Sequence, residues 1–393
     1  MDELDSDQGA PARVPLGTIA REWTKLGCIG FGGPPTHIVL LRRLCVDQRG
    51  WIEPQEFEDA IAATNLLPGP ASTQLAIFCA WKLRGARGAF IGGLGFVCPG
   101  LILIIALSAV FLAKHPPIGI LGAAAGAGAA VPAVALNASS QLVPASWKRI
   151  GGETIQRLRW ATYAAAGAVT AALVGQYLVI ALIMCGVVEI LIRRHGEVGG
   201  RTLSRSVLIA ATHSTAIGGL AALSWEALKV GALSYGGGFV IVPLMQHDAV
   251  TTYHWMTGSQ FLSAVALGQV TPGPLVQTVA VVGYAAAGIG GALLAAAVAF
   301  APSFGFILVG GRRFGRIRSN QSVQYFLTGA GPAVIGAIAG SAIPLGLSLR
   351  QYWQIPVLAG ALLWLLLARR SVVGCLLAAG VIGVALALAG VHV

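Results

Sequence analysis

Two stretches of this chain repeat one another at a fixed distance, and glycine and proline interrupt both. The first runs Lys25-Leu-Gly27, Phe31-Gly-Gly-Pro34, Trp51, Phe57 and Pro68-Gly69-Pro70. The second runs Lys229-Val-Gly231, Tyr235-Gly-Gly-Gly238, Trp255, Phe261 and Pro272-Gly273-Pro274. Subtracting 25 from 229 gives an offset of 204, which also pairs Gly32 with Gly236 and Pro68 with Pro272. Apolar segments broken at matching places in two halves point to a transporter binding site.

The solvent follows from composition. Of 393 residues, 56% are hydrophobic and only 10% charged, with a mean hydropathy of +0.76. A soluble domain carries roughly 25% charge. Apolar runs of about 20 residues, enough to span a bilayer, recur along the chain. Glycine, at 53 residues, suits helices that approach closely in lipid. The fold class expected is an all-α polytopic membrane protein, so the lipid bilayer is its first partner.

The net charge of +11 raises a nucleic-acid reading, which the distribution of the charge rejects. The basic residues cluster at the ends of apolar runs, as at Arg42 and Arg43, Lys82 to Arg87, Lys148 to Arg159, Arg312 to Arg318, and Arg369 with Arg370. That is the pattern of cytoplasmic loops, not of a groove-tracking stripe. The six cysteines show no CxxC spacing, and no metal or other cofactor is expected. No HExxH and no GxSxG in a suitable context stands in the chain, so no catalytic residue is assigned and an enzyme is not expected.

Spanning helices are expected near 88–113, 117–143, 160–175, 177–193, 287–311, 325–347, 352–369 and 371–390, with a linker helix near 206–224. The division expected is an acidic tail (1–15), a first repeat (16–195), the linker (196–224) and a second repeat (225–393). Basic loops precede the first full span in the first half and follow it in the second. The charge bias is thus exchanged between the copies, as two repeats of inverted topology joined by one linker helix require. Either re-entrant hairpins or full crossings at the breaks preserve that inversion. The half-segments around Pro68-Gly69-Pro70, about 14 residues or 21 Å of helix, favour hairpins over spans of a ~30 Å core.

A helix restarting after such a break offers free N–H groups and a partial positive charge, which suit an anion. Candidate binding residues at the first break are Gly32, Gly33, Thr36, Asn65, Pro68, Gly69, Pro70, Ser72, Thr73 and Gln74. At the second they are Tyr235, Gly236, Gly237, Gln269, Pro272, Gly273, Pro274, Gln277 and Thr278. Lys25 and Lys229 occupy equivalent positions and are candidates for charge pairing. Glu22, Glu53, Glu56, Glu58 and Asp59 are read as lacking acidic counterparts, because Met256 to Gln260 are neutral. His37, His213 and His247 are read as structural or surface residues.

The residues Gly30-Phe31-Gly32-Gly33-Pro34-Pro35, Trp51, Leu67-Pro68-Gly69-Pro70 and Gln74-Leu75-Ala76 resemble the chromate ion transporter (CHR) family. Gly231 to Gly238 and Gln269-Val-Thr-Pro272-Gly-Pro274 are similar to its C-terminal half. The resemblance covers residues 16–390. It implies two homologous halves of opposite orientation, and export of chromate across a bacterial-type cytoplasmic membrane with energy from the proton-motive force. It carries sulfate with it as an alternative substrate, since both are tetrahedral dianions. The second copy departs from the first at Gly238 for Pro34 and at Gln269 for Asn65. A permease for another oxyanion and a passive channel stay open at this point. The sequence fixes no oligomeric state, and a homo-oligomer is compatible with it.

Overall fold

A computed structural model describes residues 14–65, 67, 69–150, 153–197, 219–234, 239–310 and 320–392. Among these the chain is helical, without strands. The first half comprises α1 (Leu16–Ile29), α2 (Pro34–Arg42), α3 (Pro54–Thr64), α4 (Ala71–Phe111), α5 (Ile118–Arg149), α6 (Thr154–Leu173) and α7 (Leu178–Glu197). The second comprises α8 (Leu220–Leu233), α9 (Ile241–Gln246), α10 (Gly258–Val270), α11 (Thr278–Gly310), α12 (Gln321–Leu347), α13 (Gln354–Leu362) and α14 (Val372–Leu388). Of the expected linker helix, residues 206–218 lie outside the described residues, and 220–224 begin α8.

Among the described residues, four helical stretches are long and apolar enough to cross a membrane: Ala71–Phe111, Ile118–Lys148, Leu275–Gly310 and Gln321–Leu347. Large apolar side chains such as Ile102, Val309, Leu347 and Leu388 face outward. Lipid accepts such a surface and water does not. The chain is therefore a polytopic α-helical membrane protein.

The same local breaks recur in both halves. A wide helical turn follows α2 over Arg43–Gln48 and follows α9 over His247–Thr252, again 204 residues apart. Pro54 opens α3, where a missing N–H costs nothing. At the matching position, Thr257 and Gln260 close a reciprocal capping box on α10. Both α4 and α11 fold back on themselves at a glycine with positive φ: Gly85 at +59° and Gly288 at +64°. Each is therefore a helical hairpin with a short first arm. The arms touch so closely that a Cβ on Gly88 would stand 2.1 Å from the Ala80 carbonyl oxygen, and one on Gly291 2.2 Å from that of Gly283.

The two halves exchange partners. Helix α5 packs against α13 and α14, whereas α12 packs against α6 and α7. Small residues set the distance. A Cβ on Gly122 would stand 2.5 Å from the Gly383 oxygen, and one on Gly336 1.8 Å from that of Ala164. Close backbone approach of this kind drives helix association where lipid removes the hydrophobic contrast.

Candidate functional site

The two proline–glycine tips sit beside each other's halves. The Gly69 N–H donates to the Ser234 carbonyl at 2.7 Å, and the Gly273 N–H donates to the Gly30 carbonyl at 2.9 Å. Gly30 ends α1 and Ser234 ends α8. Each tip thus caps the broken first helix of the opposite half, and the two bonds are related by the 204-residue offset. Both tip glycines hold a positive φ, +119° at Gly69 and +105° at Gly273. That backbone is open to glycine and strained for other residues.

Beyond each tip a helix starts with unpartnered amides. Pro70 precedes α4 and supplies no side-chain cap, which leaves the N–H groups of Ala71, Ser72 and Thr73 to other acceptors. Pro274 does the same before Leu275–Gln277, the opening turn of the second arm. That turn is 3-10 rather than α. Its tighter winding, 3.0 residues per turn against 3.6, moves the offset from 204 to 203. Gln74 and Gln277 consequently match in space: a Cβ on Gly69 would meet Gln74 Nε2 at 2.4 Å, and one on Gly273 would meet Gln277 Nε2 at 2.9 Å. The carboxamides fold over their own tips. Gln277 Nε2 also donates to the Val97 carbonyl at 2.9 Å.

The crossing is buried and polar. Ser72, Thr73, Gln74, Ser234, Thr271, Gln277, Thr278 and Ser303 are all at most 2% exposed. Several of their atoms have no protein partner: Thr73 Oγ1, Ser234 Oγ, Ser303 Oγ and Gln277 Oε1, joined by Gln269 Nε2. Unsatisfied buried hydroxyls cost about 1–3 kcal/mol each; they and the Gln269 amide N–H can donate to a ligand that accepts hydrogen bonds, whereas Gln277 Oε1 can only accept. Thr278 differs, because its hydroxyl is spent on the Leu275 carbonyl.

Sequence reasoning missed Ser303 and undervalued His37. Ser303 lies on α11 opposite the first tip, 3.3 Å from where a Gly69 Cβ would be. Its only signal was the lag of 203 that pairs it with Gly100, which faces the second tip. A Cβ on Gly100 would stand 1.9 Å from the Pro272 oxygen. His37 is fully buried, with Nε2 2.9 Å from the Gly30 carbonyl and Nδ1 3.0 Å from Ser72 Oγ. A carbonyl only accepts, so Nε2 carries the proton and, in the neutral ring, Nδ1 accepts from Ser72. The histidine therefore ties α2 to both tips.

Other expected site residues stand apart. Gly32 is exposed and Gly33 half-buried, with Thr36 beside Gly32. Asn65 is exposed and lines a cavity of about 230 Å³ with Ser146, Thr328 and Gly331. A second cavity, about 160 Å³, is lined by Ala125 and Gly128, the counterparts of Thr328 and Gly331 at a lag of 203, and by Gln260 and Arg350. Pro68, Tyr235, Gly236 and Gly237 lie outside the described residues.

The acids and lysines need a correction. Glu22 does have an acidic counterpart, Glu226, at the offset of 204. Both are buried, but their surroundings differ. Glu22 accepts from Arg21 at 3.0 Å and Arg49 at 3.1 Å. Glu226 has Lys229 Nζ at 2.6 Å, not aligned as a hydrogen bond, and that ammonium also pairs with Asp248. Lys25, the counterpart of Lys229, is exposed, so the two lysines are equivalent in sequence only. Among the described residues no three His, Cys, Asp or Glu side chains gather as metal ligands.

Comparison with known proteins gives the family. A profile described as "Chromate transporter" matches residues 17–190 and again 221–384. The chromate transport protein of Cupriavidus metallidurans is 31% identical over 329 residues, 82% of this chain and 80% of that protein. That of Pseudomonas aeruginosa is 30% identical over 363 residues, 86% and 83% of the two chains. A probable chromate transport protein of Synechococcus elongatus is 28% identical over 361 residues, 88% of each. No solved structure matches.

Proposed function

This chain belongs to the chromate transporter family, and from that premise we propose that it exports chromate at the crossing of its two helix tips. The observation that carries the proposal is the pair of exchanged bonds, Gly69 to Ser234 and Gly273 to Gly30, surrounded by unpartnered hydroxyls. Helix N-termini attract a dianion without stranding a fixed positive charge in lipid. Thr73, Ser234 and Ser303 supply hydroxyl donors to a tetrahedral oxyanion, and Gln269 an amide N–H. Irregular backbone at membrane depth is tolerated where protein or a cavity covers it, and each tip is covered by the opposite half.

The two halves are read as inverted repeats whose tips enter from opposite faces as re-entrant hairpins. The first arms of α4 and α11 run from Ala71 to the break at Arg84–Gly85, and from Leu275 to the break at Ala287–Gly288. At 1.5 Å per residue each covers about 20 Å, less than a ~30 Å core. The basic loop Lys82 to Arg87 fits the cytoplasmic face, and its neutral counterpart near 284–290 fits the outer one. In this topology the cavity beside Asn65 opens inward and the cavity beside Arg350 outward.

Outward movement of a dianion from a negative interior gains about 4.6 kcal/mol per 100 mV, at 2.3 per charge. Export therefore runs on the membrane potential alone, and a coupled proton adds to it. Sulfate, with the same shape and charge, is the alternative substrate. Everted vesicles containing the protein test the proposal. Chromate accumulation that an uncoupler abolishes and that excess sulfate leaves in place supports energised chromate export. Competition by sulfate at equal concentration favours a broader oxyanion permease. Accumulation no greater than in vesicles without the protein refutes transport.

A further inference from the structure

We propose that Glu226 is a proton-binding site of the transporter, filled and emptied during the cycle from the face opposite Glu22. The inference rests on the reading of the chain as an energised anion transporter and assigns the proton a residue. Glu226 is fully buried on α8, where its carboxyl group meets the Asp248 carboxyl group and the Lys229 ammonium. Among the described residues its ion-pair partner is Lys229, which Asp248 shares from the wide turn His247–Thr252. Two carboxylates therefore compete for one ammonium. With all three groups ionised, the cluster carries one uncompensated negative charge, and Glu226, its fully buried member, is where low dielectric disfavours it most. Binding one proton removes it.

The remaining neighbours do not supply another fixed charge. Helix α11, the main partner of α8, carries no acidic, basic or histidine side chain over Thr278–Gly310, and α9 carries none over Ile241–Gln246. Next to the cluster stand His247, adjacent to Asp248, and Tyr253. The internal counterpart is the control that the fold provides. Glu22 faces two guanidiniums, Arg21 and Arg49, and its own lysine counterpart, Lys25, is exposed. One acid of the pair is thus over-compensated and stays ionised. The other is under-compensated and titrates.

The position suits coupling. Eight residues separate Glu226 from Ser234, the acceptor of the Gly69 tip amide, or about 12 Å of helix. A change in charge at Glu226 acts on the same rigid element that caps the first tip. In the topology proposed above, Glu226 lies toward the outer face, from which protons enter.

Two readouts on the purified full chain test the assignment. The first is the infrared difference spectrum between acid and alkaline buffer. A protonated-carboxyl band is expected in the wild type and in Glu22→Gln, and absent in Glu226→Gln. A band that persists in Glu226→Gln overturns the proposal. The second is chromate flux in proteoliposomes, driven separately by a potassium diffusion potential and by a pH step. Glu226→Gln is expected to keep potential-driven flux within about twofold and to lose at least tenfold of the pH-driven component. Equal loss of both by a folded variant, or retention of both, overturns the coupling role. If the wild type moves no chromate but shows the Glu226 band, the proton site stands and the chromate reading fails.

Discussion

Removing the Ser303 hydroxyl separates binding from folding at the tip crossing. Ser303 is fully buried and its Oγ has no protein partner. Ser303→Ala deletes one atom, opens no cavity of consequence and removes a desolvated hydroxyl. Such a group costs about 1–3 kcal/mol when unsatisfied, so the variant should unfold at the same temperature as the wild type or above it. If the hydroxyl donates to a bound oxyanion, its loss costs the hydrogen bond to a charged group, about 1.5–3 kcal/mol. At 1.4 kcal/mol per factor of ten, the apparent chromate affinity should fall about 10- to 100-fold. Initial rates in everted vesicles over a range of chromate concentrations measure the affinity, and thermal unfolding of the purified protein measures stability. Ser341→Ala is the control. Ser341 is equally buried, but its hydroxyl donates to the Ile338 carbonyl at 2.7 Å on α12. It should leave affinity unchanged. The reasoning is refuted if Ser303→Ala binds chromate within twofold of the wild type, or if it weakens binding only in proportion to lost stability.

Gly100→Ala should abolish flux and lower stability by about 1–3 kcal/mol or more, because its Cβ would overlap the Pro272 oxygen. Gly17→Ala, with nothing within 4 Å, should stabilise by up to about 1 kcal/mol through helix propensity; thermal melts of both decide. Lys229→Met should cost about 3–5 kcal/mol by leaving the buried Glu226 and the half-buried Asp248 without their cation, whereas Lys25→Met should stay within about 0.5 kcal/mol. Equal melting temperatures for the two would contradict the asymmetry. Gly336→Leu should yield no folded protein in detergent extracts, since α12 cannot then reach α6.

The breaks were legible because glycine and proline write backbone geometry into sequence. Gly69 and Gly273, each between two prolines, hold positive φ, whereas the hairpin turns at Gly85 and Gly288 carry no such flanking signal and show in the structure. The all-α membrane class followed from hydropathy alone. What the tips touch was not legible, since the acceptors are the main-chain carbonyls of Gly30 and Ser234, and a carbonyl leaves no mark on residue identity. Ser303 was hidden as a lone hydroxyl in a long apolar helix. Matching Gln74 with Gln277 needed the structure, because only the 3-10 turn explains a shift of one residue. Glu226 was legible by subtraction, because it stands 204 residues after Glu22, whereas the acids of and around α3 have neutral counterparts.

The exchanged tip bonds also set an order of assembly during synthesis. Gly69 leaves the ribosome 165 residues before Ser234, its acceptor. At roughly 5–20 residues per second, the first tip waits about 10–30 s with its amide unmatched. The second tip waits for nothing, because Gly30 is already in the membrane when Gly273 emerges. The nascent first half therefore passes through a stage in which its break faces lipid or borrowed partners. A chain truncated before α8 would be held there.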